Sequence, residues 1–184
     1  MVGRLSAEKR PQIAIELLRE LQDRGIEAHL TVVGDGPDRE ILQAAASGLP
    51  VAWTGHLAQT DVARTLAAAD VAIAACDVET FGLAVLESMA CGTPVVVAAG
   101  GALSELVADH GATVGIDGSA SEWADAVLSV IQIERDDLRR RCVERAGHFN
   151  WHTASTSMLR LFHSLGIHHQ PTPLCIPWEL AGPW

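Results

Sequence analysis

The chain has very little lysine. Of its thirteen basic residues all but one are arginine, and the single ε-amine, Lys9, falls among the first ten of 184 residues. A GC-rich coding sequence would account for the arginines, but poorly for where the lysine stands. Positive charge is scarce altogether: 23 acidic residues leave a net charge of −10. That charge argues against a general nucleic-acid binder, because neutralising phosphates needs a basic face. Although 48% of the residues are apolar, no uncharged apolar stretch reaches the length of a membrane span. The opening Met-Val-Gly-Arg-Leu is not a basic region leading into a long apolar one, so no secretory signal is expected. The four cysteines, at 76, 91, 142 and 175, stand singly with no C-x-x-C spacing. Reduced, mostly buried thiols in a cytosolic protein are therefore expected, ahead of a disulfide framework or a metal centre. Also missing are internal repeats, low-complexity tracts and any Asp-x-Asp pair that could hold a metal at a diphosphate.

What remains is a regular alternation. Short β-rich runs at 1–4, 28–33, 51–54, 71–75, 94–98 and 113–116 are separated by longer runs of helical period at 10–24, 37–46, 60–68, 83–91 and 102–108. Helices are expected to follow at 121–133, 135–148 and 151–165, the last capped by Asn150. Unbroken apolar strands alternating with helices predict an α/β fold, a doubly wound parallel sheet of about six strands covered on both faces. Ligands of such sheets bind at the carboxyl ends of the strands. The first strand is central there and needs about five or six residues. Only Met1, Val2 and Gly3 precede Arg4, so that strand is expected to be truncated. The domain is expected over 1–150, a crossover helix over 151–166, and an extended tail, with four prolines and no period, over 167–184.

Two stretches carry candidate chemistry. In "GRLSAEK", residues 3–9, Arg4 ends a strand and Lys9 opens the next helix, so two cations meet a helix N-terminus at the sheet edge. That is an anion site by geometry and by dipole, although two ordinary surface cations would look the same. In "ETFGLAVLE", residues 79–87, Glu79 lies in a loop and Glu87 in the first turn of the helix beginning near Leu83. Gly82 lets backbone approach a ligand, and the amides of Phe81, Gly82 and Leu83 aim at the same space. A carboxylate at Glu87 suits ribose hydroxyls and one at Glu79 suits sugar hydroxyls. Separately each acid is bland; with Arg4 and Lys9 they outline a nucleotide-sugar.

Those residues, followed in order by "VVGDGP", "TGHL", "ADVAIAACDVETFGLAVLESMACGTPVV" and "GGALSELV", resemble the C-terminal half of the family 4 retaining glycosyltransferases with the GT-B fold. The resemblance covers residues 1 to about 165. Glu79 and Glu87 match the E-x7-E signature; Gly3, Arg4 and Lys9 match the G-R-L-x-x-x-K element. It implies a Rossmann-like half-domain in which Arg4 and Lys9 neutralise the departing diphosphate and Glu79 holds the transferred sugar. Glu87 then holds the ribose, and the amides of Phe81, Gly82 and Leu83 the phosphates. "ETFGL", with Thr80 where many members have glycine, is similar to actinobacterial mannosyltransferases that use GDP-mannose. The resemblance further implies no metal cofactor and a lipid or glycan acceptor bound by a missing N-terminal domain. It implies a cytoplasmic location, peripheral at the inner face of the plasma membrane. An alternative is a non-catalytic nucleotide-sugar-binding fragment or subunit that needs a separate acceptor domain. "GDG" at 34–36 is no dinucleotide fingerprint, because Arg39 occupies the third glycine position. His148 and His152 are separated by the expected cap at Asn150, and His168 and His169 fall in the tail, so none is expected to form a zinc site.

Overall fold

The computed structural model describes residues 1–167. From residue 168 on, the expected tail, with His168, His169 and Cys175, lies outside the described residues. Five short strands form, each on an expected run: β1 (Leu30–Val33), β2 (Val51–Gly55), β3 (Ala72–Ala74), β4 (Val95–Ala98) and β5 (Ala112–Val114). Every pairing among them is parallel. The helices are α1 (Gln12–Asp23), α2 (Arg39–Ala45), α3 (Gln59–Ala68), α4 (Leu83–Ala90), α5 (Leu103–Val107), α6 (Ala120–Ile131), α7 (Arg135–Gly147) and α8 (Trp151–Ser164). All four residues of β4 are buried, as a strand covered on both faces requires.

The expected single sheet is divided. β1 pairs with β2, and β3, β4 and β5 pair in that order; among the described residues no strand joins the two sets. Residues 1–4, expected as the central strand, contribute only a parallel bridge from Val2 to Val33. Gly3 N–H donates to the Val33 carbonyl at 2.9 Å and Val33 N–H to the Met1 carbonyl at 3.0 Å. Among the described residues the other edge, on β3, has no partner strand. The core is divided in the same way. Leu5, Ile15, Val32, Leu42 and Ala46 form one cluster beside β1 and β2, while the larger cluster surrounds β3, β4 and β5. Helix α1 serves both: Ile15 packs in the small cluster, and Ile13, Ala14, Leu17 and Leu21 pack in the large one.

Helix α6 starts one residue ahead of its expected position because a capping box sets it. Ser119 Oγ accepts the Glu122 N–H at 3.3 Å, and a Glu122 carboxylate oxygen accepts the Ser119 N–H at 2.8 Å. The Ser-x-x-Glu spacing carried that signal. Ser119→Ala is expected to cost about 1 kcal/mol in urea unfolding. The Ser119 backbone and hydroxyl bonds hold the Glu122 carboxyl below its usual pKa. Its contribution is therefore complete above the usual glutamate range and is lost as pH falls through the lowered value. The Ser119→Ala penalty should accordingly shrink in acid; a penalty independent of pH would remove the box from the account.

Met1–His148 forms one compact unit, and α8 belongs to a second that begins at Phe149. In the second, α8 opens as expected at Asn150, whose side chain accepts the Thr153 N–H at 2.9 Å. Among the described residues no helix is long and apolar enough to cross a membrane.

Candidate functional site

The site is built where segment 3–9 meets the loops that follow β1, β3 and β4. The loop after β1 is "GDG". A Cβ on Gly34 would overlap the Gly3 carbonyl oxygen, and one on Gly36 the Leu5 carbonyl oxygen. With no side chains there, the two backbones touch: Leu5 N–H donates to the Asp35 carbonyl at 3.0 Å, and Asp38 N–H to the Leu5 carbonyl at 3.1 Å. These glycines, which fail as a dinucleotide fingerprint, hold segment 3–5 in place.

Lys9 does not open α1, contrary to expectation. It closes a 3₁₀ turn, Ala7–Lys9, and Arg10 follows in the left-handed region at φ 48°. The reversal delays α1 to Gln12, and the Ile13 and Ala14 amides already bond to the Arg10 and Pro11 carbonyls at 3.2 Å. The cation stands apart from the α1 terminus and finds a carboxylate instead. Lys9 Nζ donates to Glu79 Oε2 at 2.6 Å and lies 4.0 Å from Cys76 Sγ. Hydrogen bonding to Glu79 raises the Lys9 pKa, against a smaller opposing effect of burial. One residue further on, Arg10 pairs with Asp77 at 3.7 Å. Two ion pairs thus tie the 3₁₀ turn to the loop after β3.

That loop rests on a glycine pair which the sequence offered only as part of "GGALSELV". A Cβ on Gly100 would overlap the Asp77 carbonyl oxygen, and one on Gly101 that of Glu79. The Glu79 carbonyl accepts the Ala102 N–H at 3.1 Å. Gly100, Gly101, Arg10 and Asp77 are the site residues that pattern reading missed, and the Gly-Gly pair was the available signal.

Helix α4 begins at Leu83 as expected, after Gly82 at φ 87°. The Leu103 side chain fills the place where a Cβ on Gly82 would stand. Intrahelical bonding starts with the Leu86 N–H to the Gly82 carbonyl at 3.0 Å, so the amides just ahead of it are the helix's open end. Thr80, Phe81 and Leu83 are exposed beside Glu79. Glu87 lies beyond the first turn, which holds no acid; the expected first-turn carboxylate is one turn too deep to gain from the dipole. It is half-buried. The structure therefore brings Lys9 and Glu79 into contact. Gly3 and the exposed Arg4 share the segment leading to Lys9, and Arg4 and Glu87 form no ion pair among the described residues.

Cys76, Cys91 and Cys142 are free thiols, and burial pushes the Cys142 thiol up to about 11. His148 and His152 belong to separate helices, one just past the end of α7 and the other inside α8. Among the described residues no group of three His, Cys, Asp or Glu side chains is placed to hold a metal.

Parallel strands whose carboxyl-end loops set a carboxylate and a glycine-led helix start against the lysine of the segment beside β1 define a Rossmann-like α/β domain. Residues 1–149 match the model of the family described as glycosyl transferases group 1, and the chain belongs to that family. It is 42% identical over 168 residues to a GDP-mannose-dependent alpha-(1-6)-phosphatidylinositol dimannoside mannosyltransferase of Mycobacterium tuberculosis, covering 90% of this chain and 43% of that one. It is 30% identical over 172 residues to a sulfoquinovosyl transferase of Arabidopsis thaliana, covering 90% of this chain and 33% of that one. The chain thus spans less than half the length of either relative. Its fold is shared with the catalytic domain of the Helicobacter pylori cholesterol-alpha-glucosyltransferase, at a TM-score of 0.72 and 20% identity, over 82% of this chain and 96% of that one.

Proposed function

We propose that this chain is the donor-binding half of a retaining hexosyltransferase. In this reading the whole enzyme moves a mannosyl group from GDP-mannose to a lipid or glycan acceptor held by an N-terminal domain. The observation that carries it is the pairing of the only lysine with Glu79 at 2.6 Å, in the loop that follows β3. A cation and a carboxylate in one crevice suit a donor that has a diphosphate at one end and a hydroxylated sugar at the other. Lys9 and Arg4 take the diphosphate as it gains charge on departure, with Gly3 allowing the backbone its approach. The amides of Phe81, Gly82 and Leu83, flanked by Thr80, add fixed dipoles. Glu79 orients the sugar and Glu87 the ribose. Preorganised donors of this kind lower the barrier because they are already aimed at the charge that develops; losing one costs on the order of 10²–10³ in rate. The likeness to the mycobacterial relative supports mannose and GDP. The phosphatidylinositol dimannoside in that relative's name supports a location at the inner face of the plasma membrane.

Calorimetric titration should show GDP binding more tightly than UDP; the reverse order would remove the mannosyl assignment. EDTA should leave GDP binding unchanged, because Arg4, Lys9 and the α4 terminus supply the positive field. Binding that EDTA abolished and Mg²⁺ or Mn²⁺ restored would overturn this diphosphate site. The chain alone should transfer no sugar, since only one wall of the acceptor cleft is supplied.

A further inference from the structure

Arg10 is held in a backbone state that suits it badly. Among the described residues only Arg10 and Ala108 have a positive φ without being glycine, and a side chain makes that state costly. The guanidinium adds to the cost. Its Nη1 is buried and makes no hydrogen bond among the described residues, so a donor leaves water without a replacement. The carboxylate of Asp77 stands 3.7 Å away, and a partly exposed pair at that distance returns little. Glycine would hold the same turn with neither cost. Stability therefore does not account for an arginine here, and strain that persists beside a functional site points to a role in it.

The partner indicates the role. Asp77 is firmly seated, because its carbonyl oxygen occupies the place of a Cβ on Gly100. Two residues on, Glu79 is seated in the same way against Gly101, and its carbonyl accepts the Ala102 N–H at 3.1 Å. Two carboxylates on one anchored loop thus meet two consecutive cations: Glu79 meets Lys9 at 2.6 Å and Asp77 meets Arg10 at 3.7 Å. A lysine by itself sets no spacing, since its four-carbon stem turns freely. The planar guanidinium on the next residue is the stiffer link between the 3₁₀ turn and that loop.

We propose that Arg10 is a positioning residue: through Asp77 it fixes the Ala7–Lys9 turn against the loop after β3, and so holds the Lys9 ammonium on the Glu79 carboxylate. What the pair serves rests on the donor reading; the geometry itself does not.

The single lysine makes the pair readable. In the 184-residue chain labelled with ¹³Cε-lysine, one side-chain resonance reports the titration of Lys9. The Glu79 hydrogen bond raises that pKa, burial opposes it, and Cys76 and Glu8 add to the rise; neither Arg10 nor Asp77 is among the causes. A change at either residue therefore reaches Lys9 through geometry. Arg10→Gly and Asp77→Asn should each lower the Lys9 pKa toward the ordinary lysine value, and the double variant no further than either alone. Arg10→Gly should also melt no lower than the unaltered chain, because glycine relieves the turn. An unchanged Lys9 titration in Arg10→Gly, additive shifts in the double variant, or a lower melting temperature would overturn the positioning role. Calorimetry with GDP and GDP-mannose reads the consequence separately. Arg10→Gly should narrow the preference for the sugar-bearing donor by about threefold. A preference that survives a lowered Lys9 pKa, or an unaltered chain that binds neither ligand, would sink the donor reading and leave the titration to decide Arg10.

Discussion

Replacing Lys9 by alanine is expected to weaken GDP binding by about 1–3 kcal/mol, the range of a charge-assisted hydrogen bond, while hardly affecting guanosine. The difference should shrink as salt is added, because the contact is electrostatic and the crevice partly wet. The geometry adds a second expectation. Lys9 is already committed to Glu79 at 2.6 Å, with both side chains a quarter to a third exposed, so an arriving diphosphate must compete with a resident carboxylate. Glu79→Gln removes the competitor and keeps the shape. It should therefore tighten GDP while abolishing the advantage of a sugar-bearing donor. Glu87→Ala should behave differently again, weakening GDP and guanosine alike with little salt dependence, because it acts on ribose. Calorimetry at two salt concentrations separates the three. Equal losses of GDP and guanosine in the Lys9 variant would sink the diphosphate role, and weaker GDP binding in Glu79→Gln would sink the competition.

Gly101→Ala should be the most damaging of the small substitutions near the site. Gly101 sits at φ 53°, and an added Cβ would overlap the carbonyl oxygen of Glu79. Neither backbone can yield without moving the loop that carries the acid. A strained conformation combined with a backbone overlap should cost about 2–4 kcal/mol. In a chain of this size that is a fall of roughly 5–15 °C in melting temperature. Gly115→Ala is the matched control, since a Cβ there meets nothing within 4 Å, and it should change stability by no more than about 0.5 kcal/mol. Thermal melts of the two variants side by side decide the matter. A Gly101→Ala protein that melts with the unaltered chain would show the loop to be freely movable. A stable variant that still binds GDP normally would detach the glycine pair from the site.

The parallel α/β fold was legible because hydrophobic period is local. Val95, Val96 and Val97 are consecutive, apolar and β-branched, which suits a strand buried on both faces. Asn150 and Leu83 were legible for the same reason, since a cap and a glycine-led helix start are written in adjacent residues. The division of the sheet was legible only in part. Three residues ahead of Arg4 are visibly few, but that β3 would keep an uncovered edge depends on what lies 70 residues away. Lys9 and Glu79 could each be singled out by type and spacing, yet nothing in the sequence states that they touch. Beside Lys9, Arg10 holds a left-handed backbone state that arginine rarely adopts, and hydrophobic pattern gives no sign of it. The roles of Gly34, Gly36, Gly100 and Gly101 were the least legible. Each is defined by another segment's carbonyl oxygen occupying the place of a side chain, and hydrophobic pattern carries no trace of that.

The solitary lysine also makes the chain a poor target and a good reporter for amine chemistry. Acetylation, glycation or any acylating probe that acts on lysine side chains meets Lys9 or nothing in these 184 residues. In a chain rich in lysine, adding one acyl group leaves most of the surface charge as it was. Here a single addition removes the only ε-ammonium and breaks its bond to Glu79. The mass of one modification, with the α-amine accounted for separately, is thus a direct count of molecules whose crevice has lost that cation.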